Sequence, residues 1–246
     1  MDNKKNYLHN DIKDVIFLTA CVSPKGMSKT ALQSSEERKR QYEKAITWYL
    51  KNTDIPIVVI DNSMFDLSQN YTEYVQSGRI EFLFFDGNSY NKSLGKGYGE
   101  AKIIKYGLAN SVLLRTSRRI IKITGRLIVK NINRLIKCST SEIVLYANIN
   151  NDGTRLFCDS RFFIAGNDII RKCFESDEIT INDGNHYYFE HYLYDKCRMI
   201  TKEFYLPVIY SGSSGSSGDI YRTSFWSYIK PFIHYMLHKF RLFYVK

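Results

Sequence analysis

The sequence predicts an α/β fold: a single, mainly parallel sheet with flanking helices. Three observations lead there. Several short runs of β-branched and aliphatic residues carry no polar break, the segments between them show helical periodicity, and most runs close on a cluster of Asp, Asn, Ser or Gly. Unbroken apolar runs are what strands covered on both faces need, and strand-helix-strand alternation at short spacing is how parallel strands are joined. With 246 residues the chain is long enough to bury such a core without disulfide or metal staples.

Residues 15–22 (VIFLTACV) are the first predicted strand, ending in the loop Ser23-Pro24-Lys25-Gly26. A helix follows over 36–52, where Tyr42, Ile46 and Tyr49 recur at spacings of four and three. The run 55–60 (IPIVVI) is a second strand closing on Asp61-Asn62-Ser63. A short polar helix over 67–77 leads to a third strand, 80–85, closing on Asp86-Gly87-Asn88. The glycine-rich stretch from Gly95 to Glu100 feeds a helix over 99–109, and a fourth strand, 120–123, ends in Thr124-Gly125-Arg126. Strands over 142–147 and, in one or two pieces, 155–165 come next, with helices over 168–175 and 187–197 and a last strand over 204–209. Residues 211–218 (SGSSGSSG), lying between a strand and a helix, read as a native mobile loop.

The net charge of +10 predicts attraction to an anion, whether nucleic acid, a lipid surface or a phosphorylated substrate. The excess sits in two places. Eight basic residues and no acidic one lie between Arg115 and Lys137, four lie beyond Phe225 with no acid, and the rest of the chain is slightly acidic. The 115–137 segment has no Phe, Tyr or Trp to stack on bases, so nucleic-acid binding through it is the weaker alternative. Cys21, Cys138, Cys158, Cys173 and Cys197 are odd in number and form no C-x-x-C pair, which reads as reduced thiols rather than a disulfide framework or zinc site. The polar N-terminus does not read as a secretory signal, and residues 15–22 are too few to span a bilayer, so a cytoplasmic location is expected.

Ligands of open α/β sheets bind beyond the carboxyl ends of the strands, so the polar tips should converge on one crevice. The stretch Gly95-Lys96-Gly97-Tyr98-Gly99-Glu100 offers backbone N–H groups at a helix start, an arrangement suited to phosphate. It has neither the P-loop nor the dinucleotide spacing, and it reads equally well as a plain loop before a helix. Lys122 and Thr124 share one side of the fourth strand, and Gly125 permits a sharp turn that swings Arg126 into the crevice. Lys122 and Arg126 together suit a diphosphate; the alternative is a solvated basic edge. Lys130, Arg134 and Lys137 read as a solvated helix face.

The order of TACVSP, VVIDNS, GKGYGEA and KITGR, followed by DSRFF and FEHYLY, resembles a group of bacterial surface-polysaccharide (capsule, O-antigen, lipopolysaccharide) glycosyltransferases with a GT-A-like, nucleotide-diphospho-sugar transferase fold. The resemblance spans roughly residues 15–221. It implies that Thr19, Ala20 and Asp61, with Asn62 beside them, hold the donor nucleotide. It also implies a D-x-D cation motif at the end of the fourth strand, where this sequence has Thr124-Gly125-Arg126. Without paired carboxylates a hard cation loses its ligands, so metal-independent transfer is expected, with Lys122, Arg126 and Lys96 offsetting the diphosphate. The alternative keeps Mn²⁺ or Mg²⁺, with Asp159 as a displaced ligand.

In inverting enzymes of this kind the base is often a carboxylate at the start of a late helix, which gives Glu190. Asp159 is the second candidate, and His191 lies about 100° around the helix from Glu190. Arg161 is assigned to the acceptor or sugar, while Asp183 and His186 stay open. A surface Glu beside a packed His is the competing reading, and a nucleotidyltransferase or a non-catalytic relative would share the same crevice.

Residues 1–222 are expected to form the transferase domain and 223–246 a basic, aromatic, amphipathic helix. From Pro231 onward, Phe232, Ile233, Met236, Leu237, Phe240, Phe243 and Tyr244 fall on one face, opposite His234, His238 and Arg241. Fifteen residues reach only about 22 Å, too short to span, so the segment suits the interface of an anionic membrane. Packing on the domain or on another subunit is the alternative. The expected partners are a nucleotide-sugar donor, a lipid-linked glycan acceptor and the inner face of the cell membrane, with no nucleic acid.

Overall fold

A computed structural model describes residues 12–24, 34–176, 179–213 and 220–221, together with positions 229, 233 and 236. The elements run β1 (Ile12–Ala20), α1 (Ser35–Asn52), β2 (Ile57–Asp61), α2 (Thr72–Gln76), β3 (Ile80–Phe84), α3 (Gly95–Asn110), α4 (Val112–Thr116) and β4 (Ser117–Thr124). They continue with β5 (Ile128–Val129), α5 (Ile132–Cys138), β6 (Leu145–Asn151), β7 (Leu156–Gly166), α6 (Asn167–Cys173), α7 (Phe189–Cys197), β8 (Thr201–Lys202), β9 (Tyr210–Ser213) and β10 (Ile220–Tyr221). The main sheet has the order β3-β2-β1-β4-β7-β6-β8, and a small sheet has the order β10-β9-β5. The pairs β3-β2, β2-β1 and β1-β4 are parallel, whereas β7 runs antiparallel to β4 and to β6.

Alternation along the strands sorts the core into two layers, as period-two geometry demands. Val15, Phe17, Val58, Ile60, Ile120 and Phe163 face α3, α6 and α7; Ile16, Leu18, Val59, Ile121, Ile123 and Phe162 face α1 and α5. Lys122 falls on the first of these faces, beneath α3 and α7. Ser34 caps α1 by accepting the Glu37 N–H at 3.3 Å, and Glu36 and Glu37 suit the positive end of the helix.

The predicted architecture holds; several boundaries do not. The polar helix of 67–77 divides into a 3₁₀ turn, Ser68–Asn70, and α2. The helix placed at 99–109 starts at Gly95, so the glycines form its first turns rather than a loop before it. Residues 155–165 make one long strand, not two. The expected strand over 204–209 is not one. Pro207 has no N–H to give a ladder, and Phe204 is spent packing flat on Phe162, ring centroids 5.0 Å apart. Strands flank this segment instead, β8 before it and β9 after it. β9 takes the first residues of the expected loop at 211–218, and residues 214–219 lie outside the described residues, as does most of the tail from 222 onward.

The basic segment 115–137 is dispersed by the fold. Arg119 is buried and bridges β4 to β1 through both carboxylate oxygens of Asp14, at 2.6 and 2.9 Å. Lys130 precedes α5 and lies over the Trp48 ring at 5.3 Å, while Arg134 and Lys137 are exposed on that helix. Of the eight basic residues, Arg126 alone lines the cleft at the carboxyl ends of β1, β2 and β4.

Candidate active site

A cleft of about 440 Å³ opens at the carboxyl ends of β1, β2 and β4, closed on its other sides by α3, β7 and α7. Its wall contains Thr19, Ala20, Asn62, Lys96, Gly97 and Glu100. Thr124, Arg126, Arg161 and Glu190 complete the set of sequence-predicted residues that reach it. Residues from the predicted strand tips, Thr19, Asn62, Asn88 and Thr124 with Arg126, thus line one cleft, although Thr19 and Arg126 are 107 residues apart in sequence.

Tight backbone contacts bring these elements together. Gly95 adopts φ +83°, a conformation that disfavours side chains, and a Cβ there would collide with Asp183 from the turn before α7. Gly125 lies so close to β1 that a Cβ would stand 2.7 Å from the Thr19 carbonyl oxygen and 3.1 Å from the Tyr42 ring. The Arg126 side chain can then fold under the cleft, its guanidinium 6.0 Å from the centre of that ring. Arg126 is only 6% exposed; Nη1 donates to Gln41 Oε1 at 3.3 Å, and Nε has no partner among the described residues. Asn62, 3% exposed, likewise leaves its Oδ1 unpartnered. Buried polar atoms are nearly always satisfied, so these two atoms leave room in the cleft for a polar group, from solvent or ligand, to complete their hydrogen bonds.

Glu190 opens α7 and accepts a hydrogen bond from the Ser160 hydroxyl at 2.6 Å. Burial holds its carboxyl above the ordinary range, with the carboxylates Glu100 and Asp159 adding to the effect. Burial also lowers Lys96, against the pull of Glu190, Asp183 and Glu100, so an ammonium and several carboxylates share this end of the cleft.

Six predicted site residues sit elsewhere. Lys122 is fully buried; it pairs with Glu100 and donates to the Ser160 carbonyl at 2.5 Å and to Thr124 Oγ1 at 3.4 Å. An ammonium has three protons, and these three acceptors use them, so Lys122 has none for a diphosphate. Asp61 is bound by its own chain: Oδ2 accepts from Val22 N–H, while Oδ1 accepts from the Ser63 N–H and hydroxyl and from Phe65 N–H. It ties the β1 and β2 tips together, and burial raises its pKa. Asp159 gives both oxygens to Arg161, at 2.8 and 2.6 Å, and takes the Tyr210 hydroxyl at 3.4 Å. His191 points away from Glu190 towards Asp152, 3.5 Å distant. Tyr98 packs against Tyr90, and Gly125 supplies its close approach from behind the wall.

The cleft also contains Arg38, Tyr42, Cys21, Tyr90, Ser160 and Tyr221, which motif reading did not find. Arg38 sits in a charged run, Glu36 to Arg40, that looks like solvated helix; only the fold buries it, with Nε donating to the Cys21 carbonyl at 2.7 Å. Burial pushes the Cys21 thiol up to about 11. Arg161 is held between Tyr210 and Tyr221, its guanidinium 4.8 and 5.7 Å from the two ring centres.

A divalent cation of the kind implied by the D-x-D pattern needs several oxygen ligands. The β4 tip offers Thr124, Gly125 and Arg126, and Asp159 is committed to Arg161. No group of three His, Cys, Asp or Glu among the described residues could hold a metal ion. The β4 tip therefore offers a divalent ion no paired carboxylates.

No protein-family model matches the sequence, and no curated protein matches it. Solved structures do. The inositol-1-phosphate CTP transferase from T. maritima superimposes with a TM-score of 0.51 at 12% identity, covering 90% of this chain and 97% of that one. The galactosyltransferase LgtC, in complex with donor and acceptor sugar analogues, gives 0.47 at 10% identity over 77% and 72% of the two chains. Core-mannan synthase A from Aspergillus fumigatus, in a Mn/GDP form, gives 0.43 at 8% over 94% and 86%. At such identities the likeness is one of fold: the chain has the GT-A-like, nucleotide-diphospho-sugar transferase architecture.

Proposed function

We propose that this chain is a glycosyltransferase that moves a sugar from a nucleotide-diphosphate donor to the hydroxyl of a glycan acceptor. The observation that carries the reading is the meeting, in one cleft, of a buried guanidinium with an unpartnered Nε–H, a nearby ammonium and a buried carboxylate, supplied by Arg126, Lys96 and Glu190.

Glycosyl transfer has two electrostatic needs: a proton must leave the acceptor oxygen as it attacks, and negative charge grows on the departing diphosphate. Glu190 meets the first. Its desolvated carboxylate, raised above the usual range, takes the proton as the new C–O bond forms. Arg126 and Lys96 meet the second by donating to the diphosphate as the old C–O bond breaks and its electron pair passes to the leaving oxygen. The β1 and β2 tips, with Asn62, receive the nucleoside, and Arg161 with Tyr221 faces the acceptor.

The acceptor we assign is lipid-linked and belongs to cell-surface polysaccharide synthesis, at the inner face of the cell membrane. The basic aromatic tail and the motif resemblance support that assignment.

Product analysis with a labelled donor tests the reading. Thermal-shift screening against UDP, GDP, CMP and dTDP sugars identifies the donor, because a ligand that binds the folded state raises its apparent stability. Transfer should then release the nucleoside diphosphate and label the glycan, persist in excess chelator, and fall by at least about 10²-fold in Glu190→Gln. Pyrophosphate release from a nucleoside triphosphate would instead establish a nucleotidyltransferase. Full loss with chelator and recovery with Mn²⁺ would overturn the cation-free charge balance.

A further inference from the structure

Lys122 and Ser160 stand out because both are buried, both are polar, and the proposed reaction gives neither a direct part. Lys122 is 0% exposed and Ser160 4%. The β4-β7 ladder sets Ile123 opposite Phe162, which brings Ser160 to the level of the β4 tip. One ammonium there serves two carboxylates by different routes. It pairs directly with Glu100, whose Oε1 also accepts the Thr19 hydroxyl at 3.0 Å. It reaches Glu190 through Ser160: Nζ donates to the Ser160 carbonyl at 2.5 Å, and the Ser160 hydroxyl donates to Glu190 Oε1 at 2.6 Å.

A serine hydroxyl has a single proton, and here it is given to Glu190. That choice fixes both the direction in which the carboxylate points and the form it prefers, since a donated hydrogen bond favours the ionised state. Lys122 fixes Ser160 in turn. A lysine chain packed near the Phe163 and Phe189 rings, at 5.8 and 5.9 Å from their centres, cannot leave this spot without stranding its charge in the core.

We propose that Ser160 and Lys122 are positioning residues, a fixed donor and its anchor, which hold Glu190 aimed into the cleft as an ionised base. The assignment rests on the reading of Glu190 given above. Other charged groups also face Glu190: Lys96 and Glu100 from α3 and Asp159 from β7. Lys96 favours its ionised form and the two carboxylates oppose it, so the Ser160 bond adds to the support from Lys96.

The test pairs kinetics with a measurement that needs no turnover. In Ser160→Ala the acidic limb of the kcat profile should move to higher pH, and kcat at neutral pH should fall about tenfold, the worth of one hydrogen bond to a charged group. KM for the donor should stay within about twofold, and Ser160→Thr, which keeps the hydroxyl, should restore the limb. Carbon-13 NMR titration of the Glu190 carboxyl should show the same upward shift in Ser160→Ala, and also in Lys122→Met where that variant folds. Unshifted titration and an unshifted limb in Ser160→Ala overturn the positioning role. A shifted titration alongside near-normal turnover in Glu190→Gln leaves the positioning role standing and removes Glu190 as the base.

Discussion

Two basic residues four positions apart, Lys122 and Arg126, looked equivalent in sequence and are opposites in the fold. Lys122 points into the layer between the sheet and α3, where Glu100 is waiting; Arg126 lies past the end of the strand, beyond Gly125, where the chain has already turned. No motif contains that difference, because it depends on a partner 22 residues earlier in the chain. Arg126→Ala should raise the dissociation constant for a nucleoside diphosphate by about 10- to 100-fold, the worth of a charge-assisted hydrogen bond, read by calorimetric titration. An unchanged titration would remove Arg126 from the donor site. Glu190 allows a test at equilibrium. Its folded pKa is raised above 4.5, so its contribution to stability is fully present below that value and is lost as pH rises through the folded pKa. Glu190→Gln has no such charge to bury. Its Tm should therefore exceed the wild-type Tm near pH 7 to 8, with the gap narrowing as pH falls towards 4.5. A gap independent of pH would mean that the buried carboxylate is not the source.

At the scale of elements, the strands were legible wherever apolar residues ran unbroken, because burial on both faces leaves that mark in composition. Where an element depended on backbone geometry, the sequence was less informative. Residues 204–209 (FYLPVI) form an apolar run like a strand, but Phe204, Leu206 and Val208 pack onto the sheet face and Pro207 withholds a donor. The start of α3 was misplaced by four residues since glycines usually argue against helix. Here they permit close approach: the first turn of α3 abuts Asp183 and Phe189 at Gly95 and Gly97. The turn after β4 works the same way. Gly125→Ala would press a methyl group against the Thr19 carbonyl, a backbone atom that cannot swing aside. Overpacking of this kind costs about 1–3 kcal/mol, and each kcal/mol lowers Tm by roughly 2–4 °C at this chain length. Because the strain falls between the β1 and β4 tips, nucleoside diphosphate binding should weaken together with Tm. Loss of Tm alone, with normal binding, would separate the turn from the site.

For the whole molecule, the +10 charge resolves into unlike parts once the chain is folded. Arg119 is neutralised by Asp14 and Lys122 by Glu100, both in the core, and Arg126 faces the cleft. These residues therefore contribute little to attraction at a distance from the surface. The four basic residues beyond Phe225 have no acidic neighbour in sequence, and of the described tail positions Ile233 and Met236 are exposed, at 49% and 38%. Among the described residues no helix is long and apolar enough to cross a membrane. If the tail meets an anionic bilayer as proposed, it would be held by two additive forces, burial of apolar side chains and about 1 kcal/mol for each Lys or Arg near the surface. Only the second is screened by salt, with a Debye length of about 10 Å at 0.1 M. Sedimentation with vesicles containing phosphatidylserine should therefore show binding that weakens as salt rises without vanishing. Deletion of residues 225–246 should abolish it while leaving nucleoside diphosphate affinity within about twofold, because the proposed donor site is lined by residues that precede the tail. Vesicle binding that survives the deletion would assign the membrane contact to the domain. Binding that disappears entirely at high salt in the full chain would assign it to charge alone, with the apolar positions packed against protein.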